Sequence, residues 1–317
     1  MAGLVLLAIA YNHNSNILYN FSGEAYGTTW SISSSEYIAD NHKEEIKNII
    51  NKIDLIASNY KPESEISQIN VNYAEYQFIS NDLFKILEIA KVVELSTDGY
   101  YNIMLGKISS TLGFAPDFGK DTLQNQASTF NIDETNKSLI RYSNNWFDLS
   151  SIAKGYAVQE IHNYLISKNL KNHLIDIGGE IIINGNKNGI PWNIGIQNPL
   201  SSVDNATTTI SNKNYNFLAI ATSGEYRNFK LDEYGNKVTH TINPKTLSSI
   251  KNKILSVTVV NDYSATYADA YATAFNAMGL NRAIEVANNE NIAIMVIYQN
   301  NEAVKINYSD KWYDLFQ

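Results

Sequence analysis

The chain of 317 residues contains no cysteine. Disulfides, catalytic thiolates, zinc–thiolate sites and a lipid-modified cysteine are therefore excluded for the chain as it stands. Basic residues are also few, with 24 Lys and Arg against 32 Asp and Glu and a net charge of −8. No nucleic-acid partner is expected, because phosphate backbones are bound by clustered basic residues.

Several familiar catalytic motifs are missing as well. The sequence has no GxxxxGK[ST], GxGxxG, GxSxG or HExxH. A P-loop NTPase, a Rossmann dehydrogenase, an α/β-hydrolase and a zincin are each disfavoured by these absences. There is no internal repeat and no long linker, so the length predicts one large domain or two closely packed lobes with a substantial core.

The N-terminus carries an apolar run at residues 3–10 that is followed by polar residues. A bilayer span needs roughly 20 apolar residues, so this run is too short. Its length suits the apolar core of a signal peptide, although the usual basic start is missing. We interpret residues 1–20 as the remnant of an export or anchoring segment, with a cloning remnant or a plain first strand as alternatives. Residues 21–317 are predicted to form one domain.

Helical and strand patterns alternate along the domain without a regular βαβ repeat. Apolar spacing and turn residues predict helices at residues 43–57, 82–95, 152–168 and 265–278 and from 282, and strands at 28–32, 174–177, 181–183, 192–196, 216–221 and 254–260. A hairpin is predicted to turn at residues 300–301. Residues 200–214, rich in Ser, Thr and Asn, are expected to form a surface loop. The predicted class is α+β with mixed sheets.

The most informative stretch runs from Asp148 through Ser150 and Ser151 to Lys154. It has the pattern of a strand end that turns into a helix. A helix N-terminus attracts anions such as phosphate, and Lys154 would add a full positive charge. The alternative is that Asp148 or Ser150 only caps the helix while Lys154 is solvated.

A second cluster lies inside the predicted helix 265–278. Asp269 and Thr273 are four residues apart, so their oxygens lie on one face of the helix. A carboxylate and a hydroxyl suit a hard cation such as Mg²⁺. The alternative is that Thr273 bonds to its own helix and Asp269 is solvated. The small apolar neighbours predict close packing, in which a carboxylate needs a partner.

Three further clusters contain groups suited to ligand binding. In residues 58–70, Tyr60 could stack on a planar ring and Ser64 could cap a helix. Residues 98–103 and the turn at 221–228 are rich in hydroxyl and amide groups. His240 lies in a Thr-His-Thr-Ile-Asn-Pro sequence and is either functional or an ordinary turn histidine.

Taken in order, these clusters resemble the ApbE family of flavin transferases, the FAD:protein FMN transferases. The resemblance covers residues 26–280 and includes the Asp148–Ala157 stretch, Asp176-Ile177-Gly178-Gly179-Glu180, His240-Thr241-Ile242-Asn243-Pro244 and Ala268-Asp269-Ala270. It implies two closely packed lobes with FAD in the cleft between them.

The resemblance also implies an activity. A member of this family would use Mg²⁺ to cleave FAD, attach FMN through its phosphate to a threonine hydroxyl of an acceptor flavoprotein subunit, and release AMP. The implied FAD contacts are Tyr26, Tyr60, Tyr100, Tyr101, Asn102, Asp148, Lys154 and Ile242. The implied metal ligands are Ser151, through its backbone carbonyl, with Asp269 and Thr273. His240 and Asp269 are the candidate catalytic residues, and His240 would orient or deprotonate the hydroxyl.

The sequence departs from the family pattern at four positions. Tyr26 stands where many members have methionine, Asn102 and Asn243 where aspartate is common, and Leu247 where glycine is usual. The two asparagines remove negative charge and bear on turnover more than on fold. Two alternatives therefore stay open: an FAD pyrophosphatase that yields FMN and AMP, and a flavin-binding protein without turnover. The resemblance further implies a periplasmic or extracytoplasmic location, with a possible tether to the inner membrane.

Overall fold

The computed structural model describes residues 17–200, 206–224, 229–231, 235, 237–301 and 303–316. It confirms the predicted α+β class. The helices are α1 (Asp40–Ala57), α2 (Glu65–Val71), α3 (Asn81–Ser96), α4 (Gly106–Thr111), α5 (Ala153–Ser167), α6 (Ala265–Met278), α7 (Leu280–Asn289) and α8 (Asp310–Phe316). The strands are β1 (Tyr19–Ala25), β2 (Thr28–Ser34), β3 (Tyr76–Phe78), β4 (Phe130–Asp133), β5 (Ser138–Arg141), β6 (His173–Ile177), β7 (Glu180–Asn184), β8 (Asn193–Gln197), β9 (Ala206–Ser211), β10 (Phe217–Gly224), β11 (Phe229–Leu231), β12 (Lys237–Thr239), β13 (Ile242–Asn243), β14 (Ser248–Ser249), β15 (Ile254–Asn261), β16 (Ala293–Asn300) and β17 (Ala303–Tyr308).

An eight-stranded sheet forms the centre, in the order β1-β2-β6-β7-β10-β15-β16-β17. Every neighbouring pair in it is antiparallel. Short turns join several of these pairs. The β1–β2 turn consists of Tyr26 and Gly27, both with positive φ, which matches the two-residue turns favoured in hairpins.

Both faces of the central sheet are buried, which explains the continuous apolar runs in its inner strands. On one face, Ile182, Ala219, Val259 and Ile294 join the main core. Their immediate neighbours point the other way, because successive strand side chains alternate between faces. Those neighbours form a second core with Trp192 and with Trp312 of α8. A sheet fixed from both sides gives rigid strand ends on which a site can be built.

Helices α5 and α6 cover the main-core face and lie against each other. Their apolar residues form that core together with buried isoleucines of α1 and leucines of α3. Helix α6 matches its predicted range. Its start is capped by Ser264, whose side chain accepts a hydrogen bond from the Tyr267 amide, and Gly279 ends it with φ 79°.

Smaller sheets surround the central one: β3-β5-β4 and the pairs β8-β9, β11-β12 and β13-β14. The prediction of a loop over residues 200–214 is wrong in part. Residues 201–205 lie outside the described chain, but Ala206–Ser211 forms β9 and pairs with β8. Its three threonines are β-branched and suit a strand, and Ile210 enters the second core.

Strand β1 begins at Tyr19, which pairs with Ser34 of β2. The first residues of the main sheet therefore lie just before the domain boundary predicted at residue 21. Residues 1–16 lie outside the described chain, so the prediction for the N-terminal segment stays a prediction. Over the residues that the structure does describe, no helix is both long enough and apolar enough to cross a bilayer.

Two histidines are buried next to each other where α5 meets β6. Nδ1 of His162 lies 2.9 Å from Nε2 of His173, and Nδ1 of His173 lies 3.0 Å from the Leu170 carbonyl oxygen. A carbonyl only accepts, so His173 carries its proton on Nδ1 and accepts one from His162 on Nε2. Burial lowers the pKa of His162 to about 4. Burial and the neighbouring imidazole lower the pKa of His173 to about 3.

This pair predicts a pH-dependent stability. The unfolded chain takes up protons near the ordinary pKa of 6.5, whereas the folded pair does not. The neutral pair contributes fully to the free energy of unfolding above pH 6.5. This contribution is lost as the pH falls towards the two folded pKa values, by roughly 1.4 kcal/mol per pH unit for each histidine. Replacing both residues with leucine should flatten the slope of the free energy of unfolding against pH between about pH 6.5 and about pH 5. Urea unfolding at several pH values measures it, and an unchanged slope would contradict the assignment.

Candidate active site

A cavity of about 640 Å³ opens at the ends of β6, β7 and β10, beside the first turn of α5. Its size lies in the range of small-molecule and cofactor pockets. The site residues predicted from the sequence all line it: Tyr26, Tyr60, Tyr100, Tyr101, Asn102, Asp148, Ser151, Lys154, His240, Ile242, Asp269 and Thr273. The chain thus brings together groups that are spread over most of its length.

The closest helix contact in the site is between α5 and α6. Asp269 Oδ2 accepts a 2.8 Å hydrogen bond from the Gly155 amide. A Cβ atom at Gly155 would lie 2.5 Å from the Ala265 carbonyl oxygen and 2.6 Å from Asp269 Cβ. Glycine is therefore required for the helices to approach this closely. The carboxylate of α6 caps the positive end of α5, whose own N-cap residue, Ile152, provides no side-chain bond.

A cluster of buried charges lies at this contact. Lys154 Nζ is 2.6 Å from Glu180 Oε2, and Asp269 is also buried. Burial raises the pKa of Asp269 and of Glu180, and the positive charge of Lys154 opposes both increases. Burial disfavours the charge of Lys154, yet the surrounding carboxylates raise its pKa overall. Asp269 is thus buried and partnered, and Lys154 is partly buried and partnered by Glu180.

The donor set at this wall fits a hard cation. Two buried carboxyl groups, Asp269 and Glu180, face a single ammonium group, so a further cation has favourable electrostatics. Asp269 and Thr273 supply oxygen donors on one helix face. The Ser151 hydroxyl lies 3.1 Å from the Tyr101 hydroxyl, and the Ser151 carbonyl oxygen would be a further donor for a cation. No group of three His, Asp or Glu side chains suited to a metal occurs in the described ranges, so Mg²⁺ would rely on the hydroxyl and carbonyl oxygens.

Asp148 lies on the opposite side of the α5 start. Its Oδ2 accepts a 2.6 Å hydrogen bond from the Ser109 hydroxyl, and its Oδ1 accepts a 3.0 Å bond from the Ser150 amide. Asp148 therefore closes a local turn before the helix and does not cap α5 itself. The turn fixes the carboxylate at the cavity wall, where it can accept from a polar ligand group.

Four tyrosines form much of the remaining wall. The Tyr26 hydroxyl donates to the Ile50 carbonyl oxygen at 2.8 Å, and the Tyr60 hydroxyl donates to the Phe114 carbonyl oxygen. Lys245 Nζ lies 5.5 Å from the centre of the Tyr100 ring. Tyr101 is buried, and burial raises the pKa of its phenol and that of Tyr26. All four rings offer flat, apolar surfaces.

Asn102 has both of its side-chain groups engaged. Its amide donates to the Ser128 carbonyl oxygen at 2.9 Å, and its oxygen accepts from the Met104 amide at 2.7 Å. An aspartate could make only the second of these bonds, because a carboxylate does not donate. Asn102, at a position where the resemblance leads us to expect aspartate, thus fixes the loop that carries Tyr100 and Tyr101.

His240 follows β12 directly, and its ring centre lies 6.3 Å from that of Phe114. Ile242, on β13, packs with Leu105 and Ile108 of α4. Both residues line the cavity on the side of the β11–β12 pair. Of the turn predicted at residues 221–228, positions 222–224 line the cavity and 225–228 lie outside the described chain.

The ApbE family model matches residues 26–296. The chain belongs to the ApbE family. It is 30% identical to an FAD:protein FMN transferase of Vibrio cholerae over 96% of this chain and 94% of that protein. It is also 30% identical to an FAD:protein FMN transferase of Haemophilus influenzae over 94% of this chain and 92% of that protein.

Solved structures agree with this assignment. The flavin transferase ApbE from Vibrio cholerae is similar with a TM-score of 0.79 and 27% identity, covering 95% of this chain and 99% of that one. The ApbE protein of Thermotoga maritima has a TM-score of 0.82 at 22% identity, covering 95% of this chain and 100% of that one. The latter supports the fold alone.

Several cavity residues of this ApbE-family protein were not predicted from the sequence to belong to the site. Glu180 pairs with Lys154, Ser109 holds Asp148, and Phe114 lies against His240. Glu180 was part of a noted motif, but nothing in that motif indicated its partner. Ser109, in α4, carried no signal.

The α5–α6 contact generates a prediction. Gly155→Ala should destabilise the protein by about 1–3 kcal/mol, because the new methyl group overlaps backbone that cannot move alone. It should also weaken ligand binding, since Asp269 would be displaced. Gly195→Ala, at an exposed position of strand β8, is the matched control, as its Cβ would meet only the Ala206 side chain at 3.2 Å. Denaturant unfolding compares the two, and equal stabilities would contradict the required contact.

Proposed function

We propose that this ApbE-family protein is a Mg²⁺-dependent FAD:protein FMN transferase. It cleaves the diphosphate of FAD, attaches FMN through its phosphate to a threonine hydroxyl of an acceptor protein, and releases AMP. The observation that carries the proposal is that Lys154, Asp269 and Thr273 line one cavity with four tyrosines. A lysine and a divalent cation suit a diphosphate, and the aromatic rings suit a flavin.

The flavin end of FAD would lie among the tyrosines, with Asn102, Asp148 and Ile242 as further contacts. The exposed ring of Tyr60 and the ring of Tyr100 offer faces for stacking on the isoalloxazine. Asp148 is anchored by Ser109 and can accept a hydrogen bond from a ribityl hydroxyl or a ring N–H.

The diphosphate would lie between Lys154 and the oxygen donors of α6. Mg²⁺ would be held by Asp269, Thr273 and the Ser151 carbonyl, and when bound it supplies positive charge to the phosphoryl oxygens. Lys154 binds and orients the same oxygens through its ammonium group. Its ion pair with Glu180 keeps this ammonium charged and directed at the cavity.

Transfer requires a proton acceptor for the incoming hydroxyl. His240 lines the cavity, and its imidazole takes that proton as the threonine oxygen bonds to the FMN phosphorus. The bond from this phosphorus to the bridging oxygen breaks, and AMP leaves with the electron pair. The proton then passes from the imidazole to solvent, which restores the neutral base.

The acceptor is proposed to be a flavoprotein subunit with a target threonine. Phe229 and Lys230 line the cavity and are exposed, so its opening reaches the surface beside His240, where a macromolecular acceptor can dock. A periplasmic or extracytoplasmic location, with a possible tether to the inner membrane, remains part of this proposal. It rests on the family resemblance and on the apolar residues 3–10.

The direct test is incubation of the protein with FAD, Mg²⁺ and an acceptor domain that carries a candidate threonine. We expect an FMN adduct on the acceptor, read by mass, and an equal amount of AMP. EDTA should abolish both. AMP without an adduct would indicate an FAD pyrophosphatase. FAD binding with neither product would indicate a flavin-binding protein and contradict the catalytic proposal.

Asp269→Asn tests the metal ligand with little change of shape. The asparagine oxygen can still accept from the Gly155 amide, so the helix contact is retained while the negative charge is lost. The transfer rate should fall by about 10²–10³, because several kcal/mol of charge stabilisation depend on the cation. Asp82→Asn is the matched control: Asp82 is partly buried and paired with Lys52 and Tyr156, but is not among the cavity residues. An equal loss in the control would contradict the assigned role.

A further inference from the structure

The segment that carries Asp148 belongs to no sheet. Residues 145–149 have no regular secondary structure, yet Trp146, Phe147 and Leu149 are buried. The backbone groups of such a segment need partners, because an unpaired buried amide or carbonyl is costly. Side chains from a distant part of the chain provide several of them.

Two asparagines supply most of these partners. The Asn70 side chain donates to the Phe147 carbonyl oxygen at 2.9 Å and accepts from the Phe147 amide at 2.7 Å. Asn59 donates to the same carbonyl oxygen at 2.7 Å and accepts from the Leu149 amide at 3.2 Å. We call Asn59 and Asn70 the asparagine bracket. Asn59 spans the backbone on both sides of Asp148, so the bracket determines where this residue lies.

The bracket itself is held rigidly. Asn70 lies on α2, whose cap residue Ser64 donates to the Ser58 carbonyl oxygen at 2.6 Å, as does Ser67 at 3.0 Å. Arg141 is fully buried and donates to the carbonyl oxygens of Ile69 and Asn145, at 2.6 Å and 2.7 Å. Arg141 thus joins α2 to the segment that carries Phe147, in addition to the bonds made by the two asparagines.

The bracket also connects three parts of the cavity wall. Asn59 directly precedes Tyr60, and the Asp148 amide donates to the Ile103 carbonyl oxygen at 2.7 Å, next to the loop that carries Tyr101 and Asn102. Neither asparagine lines the cavity. Both act on it through the backbone of their neighbours.

We propose that Asn59 and Asn70 are positioning residues for flavin binding. They hold the Asp148 carboxylate in register with Tyr60 and with the start of α5. The inference rests on the proposed function, because it takes Asp148 as an FAD contact. Its consequence is that loss of the bracket changes the affinity for FAD, while the transfer chemistry at Lys154 and Asp269 is retained.

Asn70→Ala tests this role. FAD affinity, measured by flavin-fluorescence titration, should weaken about tenfold, which is the effect of one displaced hydrogen-bonding partner. The KM for FAD should rise by a similar factor, and kcat at saturating FAD should change by no more than about twofold. If Asn70→Ala fails to fold, Asn59→Ser removes two bonds and leaves Asn70 in place, and the same pattern is expected.

Asn212→Ala is the matched structural control. Asn212 is equally buried, donates to the Gly185 carbonyl oxygen at 2.7 Å and accepts from the Trp192 amide at 2.9 Å, but it lies beside the second core. This variant should lose stability to a similar extent and keep the FAD affinity of the natural sequence. All titrations are made well below the melting temperature of the least stable variant.

A double-mutant cycle with Asp148→Asn decides whether the bracket acts through Asp148. Asn70→Ala should weaken binding much less in the Asp148→Asn background than in the natural sequence. Independent, additive effects would overturn the inference, as would an equal loss of affinity in Asn212→Ala. In either case the proposed function stands if the unchanged protein transfers FMN to the acceptor domain with release of AMP. If the unchanged protein binds no FAD, both the proposed function and the inference are contradicted.

Discussion

The hydrogen bond from the Gly155 amide to the Asp269 carboxylate is the interaction on which the site depends. It exists only because Gly155 has no side chain, so that α5 and α6 touch along their backbones. The bond directs a carboxylate of one helix at the positive end of another. It therefore places an anion, the Lys154 ammonium and the Thr273 hydroxyl around one cavity. Widening this contact would move Lys154 on α5 away from both Asp269 and Thr273 on α6.

The surrounding fold maintains that contact against an electrostatic cost. Asp269 and Glu180 are carboxyl groups with little access to water, and a single lysine compensates them. Such a cluster is costly by itself, and the proposed cation and diphosphate would offset that cost. The central sheet is packed on both faces, which holds its strand ends in place beside the cluster.

The sequence predicted local features well and contacts between distant segments poorly. Helix α6 follows from the capping Ser264 and the terminal Gly279, and the cavity positions follow from the order of the family motifs. Strand β9 was missed because the Ser, Thr and Asn content of residues 200–214 suggested a loop. The Asn70–Phe147 and Gly155–Asp269 bonds join residues 77 and 114 positions apart, respectively. No periodicity or local motif encodes which buried amide meets which backbone group.

We propose that the α5–α6 contact forms one site for a cation and the FAD diphosphate. A crystal structure of the protein with FAD and Mn²⁺ would test this arrangement, because anomalous scattering locates the metal independently of the flavin. We expect a metal bound to Asp269 and Thr273, with the diphosphate against Lys154 and the flavin among the tyrosines. A metal at another position, or FAD bound with its phosphates away from α5, would contradict it.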